Sequence, residues 1–533
     1  MKQYISEAGS RDWVDVYHRV RDESDNLVVI GVLVPESAVE DVLGTDSWSV
    51  QPAHLVPGCT GYSDGRVEYH VHGNEEGYQP LVVERSFHGI KPAYQEIAEE
   101  FRLFHNLYFD AKNSKYVKIR DDGSEHDVIR IQQGTTSIRV VEIKQFLAIK
   151  EMRLGLFFDL HQHYPDTAGL ASAKSATIVR TEHTDDLVYT SVIGGDAFGK
   201  GSFVRMFGKS LIRGFDKKDS DVWPYNEHED EQPEYVNFVI GVDERGREQT
   251  LPCDPHGGNY LTPVFFRPDV LNRYYDNPSK YSVEDGYLRC CGLWGVRIDN
   301  DNQGYVSVFL GDIGRDIPVS EHGYWRSFNT VPSGGISETA FRRSFLAEFA
   351  DPTRKDLVFK QRFATLQDSW LKKHGWALFK PLSEEDEHCY TSLRIPATAE
   401  QTEFDTQVMY LTKVLVDSLN EAEIAKHIAG TPNQKGIDKI AEYLKCQKVP
   451  DHDQHVEFLR DLQSLRSSGA AHRKGKNYEK VAKRLGLNTK DRRIVFDELL
   501  EGALSLVKAM QALVETRESA QKPSVNLPHD PVS

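Results

Sequence analysis

Near residue 400 the hydrophobic period of this chain changes from two residues to between three and four, so one kind of layer cannot serve both parts. Before the change, short runs rich in β-branched residues are bounded by Gly, Asp or Asn. Val28–Val34, Val67–Val71, Asp127–Ile131 and Ser137–Ile143 are such runs, and each predicts a strand. Ala176–Thr181, Leu187–Ile193, Tyr235–Val242 and Tyr305–Leu310 predict four more. A helix is expected over Pro92–Leu107, where Tyr94, Ile97, Phe101 and Phe104 keep to one face. Two further helices are expected at Glu338–Phe349 and Phe363–His374.

After Leu393–Thr402 the pattern is helical throughout. Phe404–Leu419 carries the stripe Val408, Leu411, Val414, Leu415 and Leu419, and Asp453–Ser467 carries Val456, Leu459, Leu462 and Leu465. Glu421–Ile428, Lys435–Lys445, Tyr478–Leu485 and a long segment from Lys490 to about Glu518 complete the series. The reading is an α+β multidomain chain. A β-rich lobe spans 1–165, a second β-rich lobe spans 166–395, an all-α domain spans 402–518, and 519–533 is a polar, proline-containing disordered tail. A length of 533 residues agrees with several folding units, since single cores stop growing well below that size.

Charge separates the same parts. The chain has a net charge of −17, which argues against a surface built as a whole to coat nucleic acid. Residues 1–400 carry −18, whereas Gln401–Ser533 carries +1. Within the latter, Ala471–Arg493 concentrates nine basic residues against two acidic ones. That segment is where a polyanion would bind. The apolar run Leu27–Val34 is far too short to span a membrane, and the N-terminal sequence predicts no secretory leader. Six scattered cysteines form no CxxC pair and no four-ligand zinc pattern. Reduced thiols in a cytoplasmic protein are expected.

The basic segment opens with the sequence from Leu465 to Lys474, LRSSGAAHRK. Ser-Ser-Gly ends a helix, which puts Arg466 in the last turn and His472 just beyond it. Histidine exchanges a proton near neutral pH, and arginine holds charge building on phosphoryl oxygens. RNA supplies its own nucleophile, the ribose 2′-OH, so such a pair needs no metal and no cofactor. One histidine per chain plays one proton-transfer role at a time, which makes a homodimer with facing sites chemically attractive. The spacing alone is common: Arg11–His18, Arg66–His72, Arg120–His126 and Arg315–His322 share it. Those pairs lie in strand- or turn-like sequence without a basic flank.

The run LRSSGAAHRKGKNYEKVAKRL in an all-α domain resembles the HEPN superfamily over roughly residues 402–518. The resemblance implies a helical bundle that dimerises and acts as a metal-independent endoribonuclease, of the kind found on bacterial abortive-infection, anti-phage toxins. It makes Arg466 and His472 the catalytic pair, with Ser467 supporting them where the family prefers a polar residue, often Asn. Arg473, Lys474, Lys476, Lys483 and Arg484 would then hold the RNA backbone. Many members of the superfamily are inactive, so a non-catalytic dimerisation or nucleotide-binding sensor is the alternative.

A third reading is a Mg²⁺-dependent PD-(D/E)xK-like nuclease, with Asp127 opening one strand and Glu142 and Lys144 sharing a face of the next. Gly194–Lys200 fits the front of a phosphate loop, but Gly201 stands where Ser or Thr is needed, which favours a glycine-rich turn. His161 and His163 near Asp159 could bind metal, but a solvated loop is the favoured reading. Tyr324–Asn329 reads as core packing with a polar tip.

Overall fold

The computed structural model describes residues 5, 7–21, 25–44, 56–74, 77–132, 134–165, 178–195, 201–216, 235–331, 334–429, 434–466 and 476–515. The architecture is α+β, with a β-rich N-terminal half and an α-helical C-terminal region. The chain forms two compact units: Met1–Arg120 with Ser124–Pro233, and Asp121–Gly123 with Glu234–Ser533.

The first unit is built on an eleven-stranded sheet whose pairings are all antiparallel. Its centre is the strand Met152–Pro165, which pairs with Asp25–Pro35 on one side and Gly201–Ile212 on the other. Alternation along that strand feeds two layers. Leu154, Leu156 and Phe158 join the larger hydrophobic cluster, and Phe157 joins a smaller one with Val32, Val34 and Val42. The helix Val140–Lys150 supplies Ile143, Phe146 and Leu147 to the larger cluster. The strands after residue 177 continue this same sheet, so the expected lobe boundary at 165 falls inside it and the compact units part at 233.

Two predicted elements are corrected here. Ser137–Ile143 is not one strand: the strand ends at Arg139 and a helix begins at Val140. Helical spacing then carries Val140, Ile143 and Leu147 onto the sheet. Likewise Lys91–Ile97 is a strand paired with Val82–Phe87, and only Glu99–Phe104 is helical. His88 and Gly89, both at positive φ, form the tight turn that closes this hairpin.

The second unit opens with the hairpin Asn237–Val242 and Glu248–Pro252, followed by two three-stranded antiparallel sheets, Val306–Phe309 with Pro263–Phe266 and Asn329–Thr330, and Tyr281–Glu284 with Tyr287–Cys290 and Trp294–Arg297. All three share a core that includes Phe238, Tyr274, Leu288, Val306 and Trp325. Trp325 donates its indole N–H to the Tyr274 hydroxyl, in keeping with core packing at the end of the helix Val319–Phe328.

A helical layer follows, and it starts earlier than residue 402. The helix Lys355–His374 sends Phe359, Phe363, Leu366 and Trp370 into one cluster with Leu411, Leu459, Leu462, Phe496 and Leu500. Gly375, at φ +73°, terminates it in the left-handed conformation that glycine adopts without strain. The remaining helices follow the sequence stripes closely: Gln401–Thr412, Glu421–Lys426, Gly436–Cys446, His452–Arg466, Lys476–Leu485 and Arg492–Glu515. Among the described residues, no helix is long and apolar enough to cross a membrane. The tail 519–533 lies outside the described residues.

Buried charge fastens the β layer of this unit to its helices. Asp301 accepts from the backbone N–H groups of Thr353 and Arg354 and from the Thr339 hydroxyl. Arg354 grips the buried Asp356 through Nε and Nη2 and reaches the Asn300 carbonyl with Nη1. Asp356 also accepts from Ile395 N–H, tying the helix start to the segment that leads into the next helix.

Two outcomes follow for stability. Asp356→Ala leaves a guanidinium buried without its partner and is expected to cost about 3–5 kcal/mol in urea unfolding, whereas Arg354→Met with Asp356→Leu recovers most of that loss. In the first unit, burial pushes His105 down to about 4, and its Nε2 donates to the Glu142 carbonyl at 2.9 Å. The unfolded chain then binds a proton the folded one refuses. The stability from His105 is complete above its unfolded value of about 6.5 and declines as pH falls toward 4. Between pH 7 and pH 5 the protein should lose about 2 kcal/mol that a His105→Gln variant keeps, measured as the difference in urea midpoints.

Candidate functional site

Arg466 is the last residue of the helix His452–Arg466. Val456, Leu459, Leu462 and Leu465 are buried along one face, which fixes the rotation of the helix and leaves Arg466 outside. The cation completes the carbonyl end of the helix, where the macrodipole favours positive charge. Its guanidinium pairs with Asp417, at the end of the segment Lys413–Asp417. Both side chains are about 40% exposed (40% and 42%), so the pair is solvated and costs about 0–1 kcal/mol to open.

Ser467, His472, Arg473 and Lys474 lie outside the described residues, and Lys476 is described only as the first residue of the next helix. The helix Lys476–Leu485 is amphipathic: Tyr478, Val481 and Ala482 are buried, and Lys480, Lys483 and Arg484 face out. Lys483 stands free of ion pairs among the described residues. Arg484 does not. It bridges to Glu457 and Asp461 on the preceding helix, so its charge braces one helix against the other before it can serve a phosphate. Arg492 and Arg493, the last of the basic segment, are likewise engaged, with Gln401 and the Ala399 carbonyl and with Asp491.

The third reading loses the strand on which it was built. Glu142 and Lys144 lie on a helix, where residues two apart point to nearly opposite sides. Asp127 is held by Lys115 and Arg130. Lys144 lies over the Phe215 ring. Among the described residues, no group of three or more His, Cys, Asp or Glu side chains is placed to hold a metal ion. His161 and His163 do sit together, with ring centroids 4.4 Å apart on one strand, but Asp159 is turned to Arg205. Gly194 and Gly195 end a strand, and the rest of the glycine-rich segment to Lys200 is outside the described residues.

One Arg–His pair that the sequence gave no reason to prefer is in contact. Arg120 and His126 flank the turn of the hairpin Lys115–Ile119 and Glu125–Gln132, closed by Arg120 N–H to the Ser124 carbonyl. Arg120 Nη2 donates to His126 Nδ1 at 2.7 Å, which leaves the proton on Nε2, 3.2 Å from Glu142 Oε1. Burial first, then the cations Arg120 and Arg139, push the imidazole below its ordinary value against the pull of Glu142. Both ring nitrogens are occupied, so no lone pair remains for general-base work. This is a brace between hairpin and helix. The signal that could have found it is the Asp-Asp-Gly-Ser turn, which sets His126 opposite Lys118 and so makes Arg120 its diagonal neighbour.

No family model matches this chain, and no curated protein or solved structure matches it.

Proposed function

We propose that the helical region acts as a HEPN-type, metal-independent endoribonuclease working as a homodimer. The observation that carries this reading is the position of Arg466: a solvated guanidinium at the end of an amphipathic helix, directly before the segment that holds His472. Asp417 holds it only by a single surface contact, which a phosphate can replace with a bidentate one. Exposed Lys483 on the following helix adds a backbone contact. In this mechanism RNA enters with a phosphate on Arg466, and His472 takes the 2′-hydroxyl proton or gives one to the leaving 5′-oxygen. Attack of the 2′-oxygen on phosphorus forms the 2′,3′-cyclic phosphate and breaks the bond to the 5′-oxygen. Arg466 stabilises the extra negative charge in between. The acidic first 400 residues would restrain the nuclease or sense its trigger, since an unrestrained ribonuclease is toxic.

The pairing of Arg466 with Asp417 favours a second reading, in which the arginine is structural and the helical region only dimerises or binds nucleotide.

Incubation of the purified protein with total RNA in EDTA separates the two. Cleavage leaving 2′,3′-cyclic phosphate ends is expected. His472→Ala and Arg466→Ala should each lower it by at least about a hundredfold with unchanged thermal unfolding. Equal cleavage by the His472 variant overturns the assignment.

A further inference from the structure

The second unit contains a cavity of ≈ 300 Å³ that the ribonuclease reading does not use. That size stands at the lower end of small-molecule sites, which run from about 300 to 1,000 Å³. Its walls come from distant parts of the sequence. Pro268, Leu271, Val306, Ile395 and Ile494 supply apolar surface. Arg354, Arg394 and Arg493 supply three cations, against a single carboxylate in the lining, Asp491.

Two of these arginines are buried, with side chains 9% and 7% exposed, and both are held rigidly. Arg354 is fixed by Asp356 and the Asn300 carbonyl. Arg394 lies over the Tyr275 ring at 4.4 Å and donates to the Ser392 carbonyl, Asn272 and Glu403. A guanidinium has five N–H donors. Arg354 commits three of them, through Nε, Nη1 and Nη2, and Arg394 commits three, through Nη1 and both donors of Nη2. Among the described residues two donors on each are left without a protein acceptor; Arg394 Nε–H, one of these, is sealed from solvent, so a ligand in the cavity can use only the Nη donors. A pair of preorganised guanidiniums with Nη donors to spare suits an acceptor-rich ligand. Asp356 and Glu403 balance the two cations, so specificity comes from donor geometry rather than from surplus charge.

The helix Arg492–Glu515 adds to this. Its first residues border the cavity, with the positive end of a 24-residue macrodipole. Asp491 already accepts the Arg493 backbone N–H there and pairs with the Arg493 side chain. An incoming anion is thereby directed to Arg354 and Arg394, with Asp491 opposing it. A planar carboxylate satisfies one fork, whereas the three terminal oxygens of a phosphate monoester offer acceptors to more than one guanidinium. The apolar walls fit the body of such an ester, and free phosphate would leave them empty.

We propose that this cavity is a binding site for a compact phosphate monoester of mononucleotide size or smaller. Its phosphoryl group lies against Arg354 and Arg394 and its body against Pro268, Leu271, Val306, Ile395 and Ile494. The site is separate from Arg466 and does not rest on the ribonuclease reading. The full-length His472→Ala protein, in which RNA cleavage plays no part, is the material for the test. Titration calorimetry with AMP, UMP, inorganic phosphate and benzoate is expected to show saturable binding of at least one mononucleotide, weaker phosphate and no benzoate. Ile494→Glu, an exposed position at the rim, should weaken mononucleotide binding about tenfold, and Asp491→Asn, which keeps the cap and removes the opposing charge, should tighten it a few-fold. No saturable binding of either mononucleotide up to about 10 mM overturns the site. Affinity untouched by both substitutions overturns its location. Benzoate or inorganic phosphate binding as tightly as the mononucleotides overturns the ligand class.

Discussion

The buried pair of Arg354 with Asp356 is the contact on which the second unit turns. It sits where the last loop before the helical layer becomes the helix Lys355–His374, and both Asp356 oxygens are engaged by Arg354. Asp301 holds the backbone just before it, and Ile395 N–H reaches Asp356 from the segment that starts the next helix. A buried ion pair of this sort adds little net stability over apolar residues of the same size, but it is intolerant of misplacement, because either charge left alone is expensive. It therefore specifies how the helical layer registers against the sheets. Lys355, next in sequence, extends that registration by pairing with Asp497 and Glu501 on the C-terminal helix.

From that registration the rest of the helical layer can be derived. Once Phe359, Phe363, Leu366 and Trp370 are fixed, they form one wall of the cluster that receives Leu459, Leu462, Phe496 and Leu500. The helix His452–Arg466 is then set in rotation by its own apolar stripe, and Arg466 emerges at its carbonyl end in solvent. The same framework opens the cavity between Val306, Ile395 and Ile494, so one set of contacts positions two chemically different surfaces.

Much of this was legible in the sequence because helical stripes are periodic and local. Val456, Leu459, Leu462 and Leu465 mark their helix, and all four are buried. Tyr94, Ile97, Phe101 and Phe104 imitate the same spacing, yet the first two belong to a hairpin strand and only the last two to a helix, because a two-residue turn at His88–Gly89 pairs the segment backwards. Of the helix Lys355–His374, only the half from Phe363 onward is legible. Its first turn holds charged residues whose burial depends on partners far away in sequence, Asp301 among them, and no local pattern announces that. The same limit applies to sites. Nothing around Arg484 in sequence reveals Glu457 and Asp461, and nothing near Arg394 reveals Arg354 or Ile494. Arg120 and His126 show the reverse: a spacing with no chemical promise becomes a contact, and the contact proves to be a brace.

The central claim is that Arg466 and His472 converge on one RNA phosphate. Its most direct test is the His472 imidazole itself, followed by nitrogen-15 NMR in histidine-labelled protein, with and without an RNA whose 2′-hydroxyl at the scissile position is replaced by hydrogen. The account predicts that RNA shifts the His472 resonances and raises the pH at which the ring titrates, and that Arg466→Ala abolishes both effects. A His472 ring that titrates identically with and without RNA would contradict it.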